Sequence, residues 1–169
     1  MATVSSGPVW LQGPIAGISP YLQHVAHALI ECRNDVRGLL NSRGADAVWA
    51  RPRGAASVGF HVRHSMGSLD RLFTYARGEA LTEAQLATLA NEKSMDASTA
   101  TPEQLMDDFA AAIERALQQL RETPESALLD GREVGRAKLP STVLGLLSHG
   151  AEHTYRHIGQ AATTAKVVG

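Results

Sequence analysis

Apolar positions recur at helical spacing in four long stretches of the chain, and this pattern predicts four amphipathic helices. The stretches cover about residues 20–40, 57–77, 101–122 and 140–164. Ser19 precedes the first stretch as a suitable N-cap, and Gly78 follows the second as a stop signal. The third opens with Thr101 and Gln104 at the spacing of a capping box.

The connections between these helices are longer than tight turns. Residues 41–56 and 123–139 contain glycine and proline and are predicted to be loops, with a weak strand signal over residues 132–139. A second capping box, Thr82 with Gln85, predicts a short helix after residue 81. The pattern as a whole predicts an all-α fold, a four-helix bundle with one or more crossover connections.

Domain organisation follows from the same pattern. Residues 1–19 are rich in glycine, proline and serine and are predicted to form an irregular N-terminal arm. Residues 20–165 are predicted to form one domain, since 169 residues suffice for a single hydrophobic core. The N-terminus lacks the basic and apolar regions of a signal peptide, and no stretch has the length of a membrane span.

Composition excludes several classes of function. The formal net charge is -1, with sixteen basic and seventeen acidic residues spread along the chain. This balance gives no concentration of positive charge of the kind that binds nucleic acid or an anionic membrane. Cys32 is the only cysteine, so an internal disulfide is excluded, and it is interpreted as a small buried hydrophobe. We therefore expect a soluble cytoplasmic protein.

Five of the seven histidines fall on two of the predicted helices. His149, His153 and His157 are spaced i, i+4, i+8 on the fourth helix, so they project from one side of it. His61 and His64 flank the apolar stripe of the second helix. Neutral imidazole is the commonest metal ligand, and two histidines one turn apart can bind one ion. This grouping predicts a divalent metal site in the bundle.

The position of the histidines on the fourth helix narrows the prediction. On a helical wheel they lie between the apolar arc and the solvent-facing arc of Glu152 and Arg156, so a metal there is shielded on one side only. His149 and His157 are two turns apart, about 12 Å along the axis. A pair, 149/153 or 153/157, is therefore predicted to bind one ion, and His153 belongs to both pairs.

Other polar residues of these helices have ordinary interpretations. His24 and His27 on the first helix are interpreted as ordinary histidines, and Asp70 and Arg71 as solvated helix residues. Several chemistries lack their motif: the chain contains no H-E-x-x-H, no E-x-x-H, no G-x-S-x-G and no phosphate-binding P-loop. The predicted function therefore depends on the histidines.

Two segments of the chain resemble the DinB-like superfamily. Residues 57–64, SVGFHVRH, resemble the start of that family's second helix, where a Ser-Ile/Val entry is followed seven residues later by a histidine ligand. Residues 153–160, HTYRHIGQ, resemble its closing H-x-x-x-H-x-G-Q signature, although Ile158 stands where the family often has arginine. The resemblance extends over about residues 18–165.

The resemblance implies a ligand set and a chemistry. It names His64, His153 and His157 as ligands of zinc or nickel, in a bundle with two crossovers that is frequently a homodimer. Some relatives are thiol-S-transferases that use bacillithiol or mycothiol, one branch is a thiol-dependent isomerase, and others are called metal-dependent hydrolases. The expected function is thus a metal-dependent transferase or hydrolase acting on a small molecule, with no acid or base assigned.

Three further residues and two further functions stay open. His61 and His149 are candidates for support of a ligand, for alternative ligation or for substrate contact, and Gln160 for support of a ligand or helix packing. The alternative to an enzyme is a non-catalytic bundle that binds or senses a metal or small molecule. A degenerate family member without metal is the third interpretation.

Overall fold

The computed structural model describes residues 7–92 and 100–169. Within them lie six α-helices and one two-stranded sheet, which confirms the all-α bundle. The helices are α1 (Gln23–Leu40), α2 (Ala45–Trp49), α3 (Val58–Ala76), α4 (Glu83–Asn91), α5 (Pro102–Glu122) and α6 (Val143–Val168). The strands are β1 (Gly131–Val134) and β2 (Leu139–Thr142). Among the described helices, none combines the length and hydropathy needed to cross a bilayer.

The helix starts follow from side chains that cap free backbone N–H groups. Ser57 accepts a hydrogen bond from the Phe60 N–H at the start of α3, and both predicted capping boxes form at α4 and α5. Ser19 likewise accepts from the Tyr21 N–H, although residues 20–22 form a 3-10 turn before α1 begins. The predicted loop 41–56 also contains the short helix α2 and a 3-10 turn.

The last helix, predicted to begin near Pro140, begins three residues later, at Val143. Pro140 lies in β2, which pairs antiparallel with β1, and α6 begins at Val143 with Thr142 as its N-cap. Pro140 occurs there in a short two-stranded hairpin, where proline is tolerated more easily than inside a central strand. The weak strand signal over residues 132–139 thus came from a real hairpin, whose second strand extends three residues further.

The four long helices form a closed ring. Helix α6 packs against α1 and α3, and α5 packs against the same two helices on the opposite side. Among the long helices, α3 follows α1 along the chain, and α6 follows α5. The two helices of each such pair therefore lie across the bundle from each other. Residues 41–57 and 123–142 consequently cross an end of the bundle, which gives two crossover connections.

The contact between α3 and α6 is the most extensive in the molecule, and a glycine permits it. A Cβ atom at Gly150 of α6 would lie 2.9 Å from a ring carbon of Phe73 on α3, closer than real contacts allow. Apolar residues from all four helices complete a single core. Cys32 is fully buried in it, as predicted, and burial raises the pKa of its thiol to about 12.

Candidate metal centre

The paired helices α3 and α6 bring three histidines to one point at the edge of the core. His64 projects from α3, and His153 and His157 project from consecutive turns of α6. One nitrogen from each imidazole lies within 4.8 Å of the other two, and the three side chains are partly buried. These are the three residues that the family resemblance named as ligands.

The spacing of the nitrogens suits a single ion. His64 Nε2 and His153 Nε2 lie 3.1 Å apart. Two nitrogens bound to one ion at about 2.1 Å, with an angle of about 90–110° at the metal, are separated by about 3.0 to 3.4 Å. The ring of His157 lies against both, with centroids 4.4 Å from His64 and 4.6 Å from His153. The side chains therefore need little movement to share an ion.

A carboxylate that the sequence analysis missed contacts the cluster. Glu92, directly after α4, accepts a hydrogen bond from His64 Nδ1 at 2.9 Å, and its other oxygen accepts from the guanidinium of Arg71. Arg71 is only 9 % exposed, so its interpretation as a solvated residue is wrong. A histidine ligand often donates its second N–H to a carboxylate, and this expectation was the signal that could have led to Glu92. Spacing could not, because Glu92 is 28 residues away on another element.

His157 has its own partner, a fourth histidine. Nδ1 of His61, which is buried on α3, lies 3.0 Å from Nδ1 of His157. One of these nitrogens donates and the other accepts. His61 therefore orients a member of the cluster, and of the three roles left open for it, this one is supported by a direct contact.

A shallow cavity of about 460 Å³ opens beside His61. Arg156, Gly159 and Gln160 of α6 line it, together with Thr163 and Thr164. Gln160 is exposed and lines this cavity, so it is not packed in the core. His61 therefore lies between the cluster and a surface that is open to solvent.

His149 lies outside the cluster although it shares the stripe on α6. Its side chain is exposed, and its Nδ1 lies 3.0 Å from a carboxylate oxygen of Glu152. Glu152 and Arg156 form an exposed ion pair, so their predicted exposure is correct. Of the two ligand pairs considered on this helix, the structure brings 153/157, and not 149/153, together with His64.

The electrostatic environment favours neutral imidazoles at His153 and His157. Burial, followed by the neighbouring His64, His153 and His61, lowers the pKa of His157 to about 4. Burial and the nearby His64 also lower the pKa of His153. Neutral imidazole is the metal-binding form, so at neutral pH protons compete weakly for these two side chains.

Glu92 remains ionised despite its burial. Burial alone would raise the pKa of its carboxyl, but hydrogen bonds from His64 and Arg71 outweigh that effect and hold the pKa below its usual value. An ionised carboxylate beside the histidines adds a negative charge to a site suited to a cation. The remaining histidines, His24 and His27, contact Ser148 and the Gly13 carbonyl and lie elsewhere, as predicted.

Comparisons with known proteins agree with this architecture. The sequence pattern of the DinB superfamily matches residues 28–161, well over half of the chain. The crystal structure of a conserved protein from Enterococcus faecalis has the same fold, with a TM-score of 0.66 and 19 % sequence identity. That similarity covers 87 % of this chain and 96 % of the other, and at this identity it shows the fold alone. No curated protein matches the chain at a significant level.

Proposed function

The chain belongs to the DinB superfamily, and from this membership we propose that it is a metal-dependent enzyme acting on a small molecule. The observation that carries the proposal is the convergence of nitrogens from His64, His153 and His157. Among the described residues, this group contains three side chains and no fourth. Three protein ligands with an exchangeable position are typical of catalytic zinc, whereas structural sites have four.

The donor set fits zinc or nickel, since imidazole suits both ions. When bound, such an ion supplies Lewis acidity and lowers the pKa of a thiol or water in the remaining position. The protein contributes orientation: Glu92 contacts His64, and His61 contacts His157. A cavity beside His61 has room for a small molecule, one side chain away from the three histidines.

We propose thiol transfer as the reaction, with a low-molecular-weight thiol such as bacillithiol or mycothiol as the sulfur donor. The thiol proton passes to solvent, a sulfur–carbon bond forms with an electrophilic substrate, and the bond from that carbon to its leaving group breaks. Hydrolysis is the alternative, with water in place of the thiol. Glu92 is already engaged by Arg71 and His64, so it is poorly placed to act as the general base that hydrolysis commonly uses. This engagement supports transfer, since a thiol loses its proton more readily than water does.

The first test is metal content, measured by elemental analysis of protein purified without a histidine tag or chelating column. We expect about one equivalent of zinc or nickel. His153→Ala should abolish metal retention, while His24→Ala, which changes a histidine outside the cluster, should not. Equal metal content in the two variants would contradict the ligand assignment.

The second test is turnover by the metal-loaded protein. We expect it to consume a thiol together with a model electrophile such as monochlorobimane, and His153→Ala to lack this activity. Turnover of esters or amides without thiol would instead indicate a hydrolase. Stoichiometric metal without turnover of either kind would favour a binding or sensing protein.

A further inference from the structure

We propose that Glu92, anchored by Arg71, is a positioning residue that presents His64 to the metal. The inference rests on the metal site of the proposed function and assigns a role to a residue outside the ligand set. Both carboxylate oxygens of Glu92 are engaged, one by His64 Nδ1 at 2.9 Å and the other by the Arg71 guanidinium. Glu92 is only 7 % exposed, so water cannot readily replace either contact.

The contact determines which nitrogen of His64 carries the hydrogen. An ionised carboxylate can only accept hydrogen bonds, so Nδ1 must be the protonated nitrogen of a neutral His64. Nε2 then keeps its lone pair, and Nε2 is the nitrogen that faces His153 Nε2 at 3.1 Å. Glu92 therefore both orients the ring and leaves a free lone pair at the point where the three histidines converge.

Gly67 provides an independent observation. It lies between His64 and Arg71 on the same face of α3, and a Cβ atom there would be 2.9 Å from Glu92 Oε1 and 3.0 Å from Arg71 Nη1. Glycine inside a helix lowers helix stability relative to alanine. Gly67 thus leaves room for the Arg71–Glu92 pair at the expense of helix stability.

The protein contains a matched control for Glu92. Glu152 accepts from a histidine and from an arginine in the same way, but on the exposed face of α6 and outside the cluster. Gly38 is the corresponding control for Gly67, since it is an exposed helical glycine at which an added Cβ atom would have no neighbour within 4 Å. Each variant below therefore has a chemically identical partner elsewhere in the chain.

Zinc affinity of the full-length protein, measured by competition with a chelating indicator, tests the carboxylate. We expect Glu92→Ala to weaken zinc binding by about 10- to 100-fold, as replacement of a partner of a metal ligand typically does. Glu92→Gln keeps an acceptor oxygen and should recover part of this loss. Glu152→Ala should bind zinc as the wild type does. Unchanged zinc affinity in Glu92→Ala would overturn the proposal.

Gly67→Ala tests the same arrangement without removing a polar atom. The added methyl should displace Glu92 and Arg71, so zinc binding should weaken. Gly38→Ala should leave zinc affinity unchanged. Zinc affinity equal to that of the wild type in both Gly67→Ala and Glu92→Ala would exclude a positioning role for this pair.

The tautomer of His64 is a readout that needs no metal. Two-bond ¹⁵N–¹H correlation spectra of the metal-free protein should show hydrogen on Nδ1 in the wild type and a shift towards Nε2 in Glu92→Ala, with no change in Glu152→Ala. Hydrogen on Nε2 in the wild type would overturn the proposal. A wild type that binds no zinc at all would overturn the proposed function. Zinc affinity that is the same with and without the Glu92 carboxylate would overturn only this inference.

Discussion

Two carboxylate–histidine pairs in this protein have the same chemistry and different surroundings. Glu92 meets His64 at 2.9 Å, and Glu152 meets His149 at 3.0 Å. The side chains of the first pair are 9 % and 20 % exposed, whereas those of the second are 58 % and 51 % exposed. Each carboxylate also pairs with an arginine. The arrangement of residue types alone therefore does not distinguish a candidate site from an ordinary surface pair.

The two pairs differ in how easily water can take the place of their hydrogen bonds. Water can replace the exposed pair at little cost, because surface ion pairs contribute little to stability. The buried pair has little access to water, so each polar atom must keep its protein partner. The exposed pair joins residues three apart on one helix, whereas the buried pair joins elements 28 residues apart. A contact of the second kind ties the chain after α4 to the histidine cluster.

The largest expected difference between the two regions is in metal binding. His149 and His157 each lie four residues from His153, but only His157 belongs to the converging group. His157→Ala should therefore lose stoichiometric metal, while His149→Ala retains it, as measured by elemental analysis after dialysis. Metal loss in both variants would mean that the stripe acts as a unit and that the exposed pair is part of the site.

A smaller difference is expected in stability. Arg71→Met leaves one oxygen of a buried carboxylate without its donor, and should lower the free energy of unfolding of the metal-free protein by about 2 kcal/mol. Arg156→Met removes the corresponding exposed ion pair and should cause no measurable change. Urea denaturation of the two variants measures both values. Equal effects would show that burial does not separate the pairs.

The third expected difference is in the pH dependence of stability. The pKa of His157 falls from an ordinary value of 6.5 to about 4 on folding, so between these values the unfolded chain binds a proton that the folded chain does not. Stability of the metal-free protein should therefore decrease as the pH falls from about 6.5 to 4. His157→Gln should make this decrease shallower, and His149→Gln, outside the cluster, should change it less. Unfolding midpoints across this range measure the slopes.

Local sequence signals predicted most of the secondary structure. Thr82 and Thr101 cap α4 and α5 as expected, because an N-cap depends on hydrogen bonds within three residues along the chain. The start of α6 was misplaced because Pro140 suits a first helical turn, yet β2 pairs with β1 there. Pairing across a hairpin depends on a second segment, and a single stretch of sequence does not contain it.

The sequence by itself determined which residues belong to each helix face, and so that His149, His153 and His157 form one stripe. The family motifs added His64. Only the tertiary structure decided that α3 covers the end of the stripe containing His153 and His157, leaving His149 in water, and that Glu92 and Arg71 lie behind His64. The physical reason is that helical spacing is set by local backbone geometry, whereas burial and partners depend on which element packs against that face.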